Sequence, residues 1–233
     1  MKGLRKTGCD QGFTLLEVLV VILILGIVMA GVYSVYTSQQ KSFLIQEDVA
    51  EMQQNLRAAM FTMVREIRLA GCNPTGKAIA GIVTADANTI SVTMDISGNN
   101  PNVDPPDGGI GNANEDVSYA LIDTDSDGTM DSLGRRAGSA GGGTLQPTAS
   151  NIDALNFVYL DGNGNDLGYP PDLTRIRSVQ LTVVARTENP SAGFRNTAIY
   201  RNLQGAVVLP AQNDPFRRKV FTTNIRCRNL GLL

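Results

Sequence analysis

One carboxylate, Glu17, stands near the head of the apolar run in "GCDQGFTLLEVLVVILILGIVMAGVYSVY", and no charged residue follows it from Val18 to Gln40. An acid inside a membrane helix costs on the order of 2.5–3.5 kcal/mol on insertion scales, so it calls for a cationic partner. If the chain is cut between Gly12 and Phe13, Phe13 gains a free α-amine. Glu17 then lies one helical turn below it on the same face. The chemistry on offer is charge neutralisation in hydrocarbon, within one chain or between neighbours.

Two further sets of residues invite chemistry. In "DTDSDGTMD" the carboxylates of Asp123, Asp125 and Asp127 alternate, Gly128 allows a sharp turn, and the Thr129 carbonyl and Asp131 follow. Oxygen donors at that spacing suit Ca2+. An EF-hand loop would place a glutamate at its twelfth position, where Gly134 stands, and flanking helices are absent. A solvated acidic turn is therefore the competing reading. The three cysteines divide about the apolar run: Cys9 precedes it, and Cys72 and Cys227 follow. Removing the leader leaves a pair that can form a disulfide in an exported domain. The alternative is two buried free thiols.

Composition excludes several functions. The 233 residues contain no histidine, which removes Ser-His-Asp triads, HExxH zinc sites and Cys/His fingers. No convergent nucleophile–base set emerges, so an enzyme is not expected. A net charge of −2 gives no basic field for nucleic acid, and no nucleic-acid partner is expected. Arg217, Arg218, Lys219, Arg226 and Arg228 read as a solvated strand edge that its charges keep from aggregating.

The elements that must position these groups follow from periodicity. The uncharged run reaches roughly 35 Å as a helix, enough to span a bilayer. Lys2, Arg5 and Lys6 ahead of it mark a start that stays in the cytoplasm. The run is too long for a cleavable secretory signal. Beyond Tyr36, Ile45, Val49, Met52, Leu56, Met60, Met63, Ile67 and Ala70 recur at spacings of four and three, a stripe with one covered side. "LAGCNPTG" supplies the stop. One helix is thus expected from Phe13 to about Ala70, membrane-spanning over 13–35 and amphipathic over 36–70. Residues 71–233 are expected to be β-rich: "NTISVTMDIS", "VSYALID", "IDALNFVYLDG", "SVQLTVVAR" and "KVFTTNIRCRN" read as strands. "DGNGND" reads as a hairpin turn. Loops are expected near 97–116 and 137–150, where Gly, Pro and Asn crowd. The fold class is α+β, a long helix against an antiparallel sheet.

"GFTLLEVLVVILILGI" resembles the class III signal shared by type IV pilins and the pseudopilins of type II secretion. Gly12, Phe13, Thr14, Leu15, Leu16 and Glu17 match it throughout. The resemblance implies a leader of residues 1–12 cleaved after Gly12, N-methylation of Phe13 by a prepilin peptidase, and assembly of the helices into a filament in which Glu17 neutralises a neighbour's amine. Loss of Lys2, Arg5, Lys6 and Asp10 would take the net charge from −2 to −4. Further along, "MVREIRLAGC", "VSYALI…LGRR", "NIDALNFVYLDGNG" and "FTTNIRCRNL" resemble PilW-type minor pilins in order. That implies a minor pilin that starts pilus assembly in a tip complex. The implied partners are the prepilin peptidase, the major pilin, other minor pilins, the inner membrane and the assembly platform. The implied location is the inner membrane, single-pass with a periplasmic soluble domain, then the pilus. A J-type pseudopilin of type II secretion and a calcium-dependent adhesive tip module are the alternative readings.

Overall fold

The computed structural model describes residues 12–100, 104–138 and 143–231. Cys9 and the expected leader up to residue 11 lie outside them. A single helix, α1 (Leu15–Leu69), runs 55 residues, as the periodicity leads one to expect. The chain divides into two units, between Glu47 and Asp48. In the first, the large side chains from Leu15 to Tyr36 are exposed on every face. A helix apolar all round is stable only in lipid or among other helices.

In the second unit the expected stripe is the buried face. Met52, Leu56, Met60, Met63 and Ile67 are buried, and Val49 packs against them. Burial of each such side chain stabilises by about 1.5–3 kcal/mol before entropy is counted. The helix stops where Gly71 turns left-handed (φ 79°), with Cys72 N–H bonding back to Leu69 O at 2.9 Å. A Cβ on Gly71 would meet Leu230 Cδ2 at 2.7 Å, so the stop also lets the C-terminal tail approach closely.

The remaining chain forms two main sheets where one was expected. Five strands, β1 (Ile82–Ala85), β2 (Ile90–Thr93), β3 (Asp116–Ile122), β4 (Ser132–Gly138) and β5 (Gln146–Ala149), make an antiparallel meander in sequence order. β6 (Ile152–Leu160), β7 (Ser178–Arg186) and β10 (Arg218–Arg226) make a second antiparallel sheet in the order β10-β7-β6. β8 (Tyr200–Arg201) and β9 (Val207–Leu209) form a small ribbon, tied to β6 by Asn202 Nδ2 donating to Asn156 Oδ1 at 3.0 Å. One core joins the parts: Ile90, Val92, Val117, Tyr119 and Leu133 from the first sheet, Phe157, Val179, Leu181 and Ile225 from the second, and the helix stripe.

One local expectation is corrected. β5 lies within 137–150, which reads as loop, because its pairing to β4 fixes it and not the Gly-rich stretch that precedes it. β2 is buried on both faces, Ser91 and Thr93 included. Their hydroxyls have internal partners, Ser91 Oγ with Ser118 Oγ at 2.7 Å and Thr93 Oγ1 with Gly81. The described part of 97–116 is held by a buried acid: Glu115 accepts from Ile96 N, Ser97 N and Asn112 N, each at 3.0 Å.

Candidate functional site

The start of α1 is built by two residues. Thr14 sits immediately before the first helical residue, and Glu17 lies three further on. Glu17 N donates to Thr14 Oγ1 at 3.3 Å, while Glu17 Oε2 accepts from Thr14 N and Thr14 Oγ1, both at 3.0 Å. This reciprocal capping box satisfies donors that the first turn leaves unpaired. It also fixes the carboxylate at the helix's N-terminal edge, where the helix dipole favours a negative charge. Oε1 has no partner among the described residues and is open to a further donor. Phe13, next to Gly12, is 85% exposed.

The acidic turn between β3 and β4 brings part of the expected calcium set together. Oxygens of Asp123, Asp125 and Asp127 lie within 4.8 Å of one another. Each carboxylate also holds the turn's own backbone: Asp123 accepts from Ser126 N at 2.7 Å and Gly128 N at 2.9 Å, and Asp127 from Thr129 N at 2.7 Å. The Gly128 N–H contributes most to holding the Asp123 carboxyl below its ordinary value. Asp131 has a different task. It pairs with Arg186 at 2.8 Å, which draws it into a chain of charges across the second sheet.

In that chain Arg186 also holds Asp153 at 3.0 Å, Asp153 pairs with Arg218, and Arg218 grips Asp214 with two bonds of 2.6 Å. The Asp214 carboxyl is held below its ordinary value, first by the Arg218 hydrogen bonds.

Cys72 and Cys227 are free thiols in the structure, where a bridge was expected. Cys227 is buried, with its thiol against the Ile67 carbonyl at 3.5 Å, and burial pushes it up to about 12. Burial, then the nearby Asp95 charge, raises the Cys72 thiol.

The sequence reading missed the clasp between helix and sheet. Glu66 is 5% exposed within the apolar stripe. Its carboxylate receives Arg135 Nη2 at 2.7 Å, Arg135 Nε at 3.0 Å, and the Tyr119 hydroxyl. Arg135 Nη2 also donates to Asn114 Oδ1 at 3.0 Å. The fork-on-carboxylate geometry fixes where α1 lies over β3 and β4. A clue was available: Glu66 follows Met63 by three residues, on the covered side.

Comparisons with known proteins match two stretches of the chain. A model of the prokaryotic N-terminal methylation motif matches residues 8–33, and one of type IV pilus-assembly protein W matches residues 119–229. A search among curated proteins finds no match. Among solved structures, a type IV-like pilin from Thermus thermophilus aligns with a TM-score of 0.50 at 11% identity, covering 77% of this chain and 98% of that one. At that identity the likeness is one of fold.

Proposed function

Because the chain belongs to the type IV pilin family and is a minor pilin of pilus assembly, we propose that it enters the filament through Gly12, Phe13 and Glu17. A prepilin peptidase cleaves after Gly12 and methylates the new Phe13 amine. The apolar helix holds the precursor in the inner membrane with its start in the cytoplasm and its sheet domain in the periplasm. In the filament, the Glu17 carboxylate meets the ammonium of a neighbouring subunit. Supporting this is the observation that carries the proposal: among the described residues, a capped carboxylate with one unpartnered oxygen stands at the head of a helix whose first 22 or so residues are uncovered. The domain then sits in a tip complex with other minor pilins and contacts the major pilin and the assembly platform. The test is to count pili in cells lacking the chain and after return of wild type or Glu17→Ala. Wild type restores them and the variant does not; equal restoration by both overturns the pairing.

Calcium at Asp123, Asp125 and Asp127 is a smaller second reading, favoured by the convergence of three carboxylates. Asp131, committed to Arg186, is not one of its ligands as the loop stands.

A further inference from the structure

The second sheet has two edges, and they are treated differently. The β6 edge is covered by backbone bonds from other segments: Ile152 N to Asp131 O, Phe157 N to Ala87 O, and Leu167 N to Tyr159 O. β10 pairs with β7 along its full length, Arg218 with Arg186 through to Arg226 with Ser178. Bonds just beyond both ends fix the phase of that ladder, Cys227 N to Arg177 O at 3.0 Å and Thr187 N to Arg217 O at 2.8 Å. In an antiparallel pair the bonded positions alternate, so 219, 221, 223 and 225 face β7. The N–H and C=O groups of Val220, Thr222 and Asn224 therefore face away from it, and among the described residues nothing bonds them.

The side chains on this edge are not those of a strand guarded against pairing. Guarded edges carry charges, proline or a bulge along their middle. Here "VFTTN" is uncharged, the ladder has no bulge, and the charges lie outside the stretch: Lys219 before it, Arg226 and Arg228 after it. None of these three has an ion-pair partner among the described residues. Phe221 shares the face of Ile225 and Cys227, which turns toward α1, since Cys227 reaches Ile67 O. Ile225 is fully buried there, yet Phe221 is 40% exposed. One more strand alongside would cover Phe221 and satisfy the open backbone together.

We propose that the free edge of β10 receives an extended acidic segment of a neighbouring pilus subunit as an added strand. This rests on the assembly role above and names the chemistry of one contact. The occupant is about eight residues long, enough to lie alongside Lys219 to Arg226 and within the usual range for strands. It places an apolar side chain beside Phe221 and carboxylates opposite Lys219 and Arg226. A second copy of this strand fits poorly, because antiparallel pairing about Thr222 sets Arg218 against Arg226 and brings both basic ends together. Nucleic acid fits poorly too, since phosphates accept hydrogen bonds and leave the outward carbonyls unpaired.

The test uses the full chain in piliated cells, with a photoreactive amino acid at Asn224. The expected product is a crosslink to another pilin-type subunit, mapped by mass spectrometry to an extended segment containing Asp or Glu. Thr222→Pro removes an outward N–H without touching the β7 ladder and should abolish the crosslink while melting is unchanged. The pair Lys219→Glu with Arg226→Glu should do the same, and serves if the proline variant fails to fold. Reversing the mapped acid on the partner should then restore the crosslink. A crosslink only to a second copy, only to nucleic acid, or one that survives both variants overturns the proposal. Pilus counts for Glu17→Ala in the same strain separate the cases. If that change abolishes pili and the edge variants alter nothing, the edge proposal fails alone.

Discussion

Replacing Glu66 by alanine should loosen the helix from its sheet more than any surface change. Glu66 holds Arg135 by two bonds and the Tyr119 hydroxyl by a third, and its side chain is 6% exposed. Breaking a buried ion pair from one side typically costs about 3–5 kcal/mol, mainly because the remaining charge has lost its partner. The Arg135 side chain is 19% exposed and keeps Asn114, so water and that amide recover part of this. The orphaned Tyr119 hydroxyl, itself buried, adds about 1–3 kcal/mol. A net loss of about 3–5 kcal/mol is a large share of the roughly 5–15 kcal/mol that holds a typical domain. At about 2–4 °C per kcal/mol for a domain of this size, the melting temperature should fall by roughly 6–20 °C. The assay is thermal melting of detergent-solubilised full-length protein followed by circular dichroism. Glu66→Ala with Arg135→Met should recover much of the loss, because no buried charge then remains unpaired. A single variant that melts within a degree or so of wild type, or a double variant no better than Glu66→Ala, refutes the clasp.

Other outcomes follow from the same geometry. Calorimetry in millimolar Ca2+ should give binding heat that Asp123→Asn removes; neither heat nor a rise in melting temperature disposes of calcium. Cys72, partly exposed, should alkylate in the native protein, and buried Cys227 only after unfolding. A pair that stays unlabelled until reductant is added shows a bridge instead. The Asp214 carboxyl is held below its ordinary 3.8, so its contribution to stability is present above that value and lost as the pH falls through the lower folded one. Asp214→Asn should therefore flatten the acid limb of stability against pH, and an unchanged limb counts against the Arg218–Asp214 pair.

Local pattern carried much of the fold. The stripe from Val49 to Ala70 named the covered face of α1 because helical period is a property of neighbouring residues. Val179, Leu181, Val183 and Ala185 were legible as one face of β7 for the same reason. Partner choice was not legible. The division into two sheets depends on which strand meets which, and β5 exists only through β4. Glu66 went unread because its partner, Arg135, is far away in the chain. Asp131 looked like a calcium ligand because its neighbours are acids, although Arg186 holds it. At the N-terminus the spacing of Thr14 and Glu17 is short-range, and there sequence and geometry meet.

The central claim is that Glu17 recruits the amine freed at Phe13. Mass spectrometry of the N-terminal peptide, from membranes and from sheared pili, tests it most directly. Methylated Phe13 should begin the chain in both fractions for wild type, and for Glu17→Ala should appear in membranes while the pilus fraction is depleted. A chain beginning at Met1 in pili, or equal amounts of both proteins there, contradicts it.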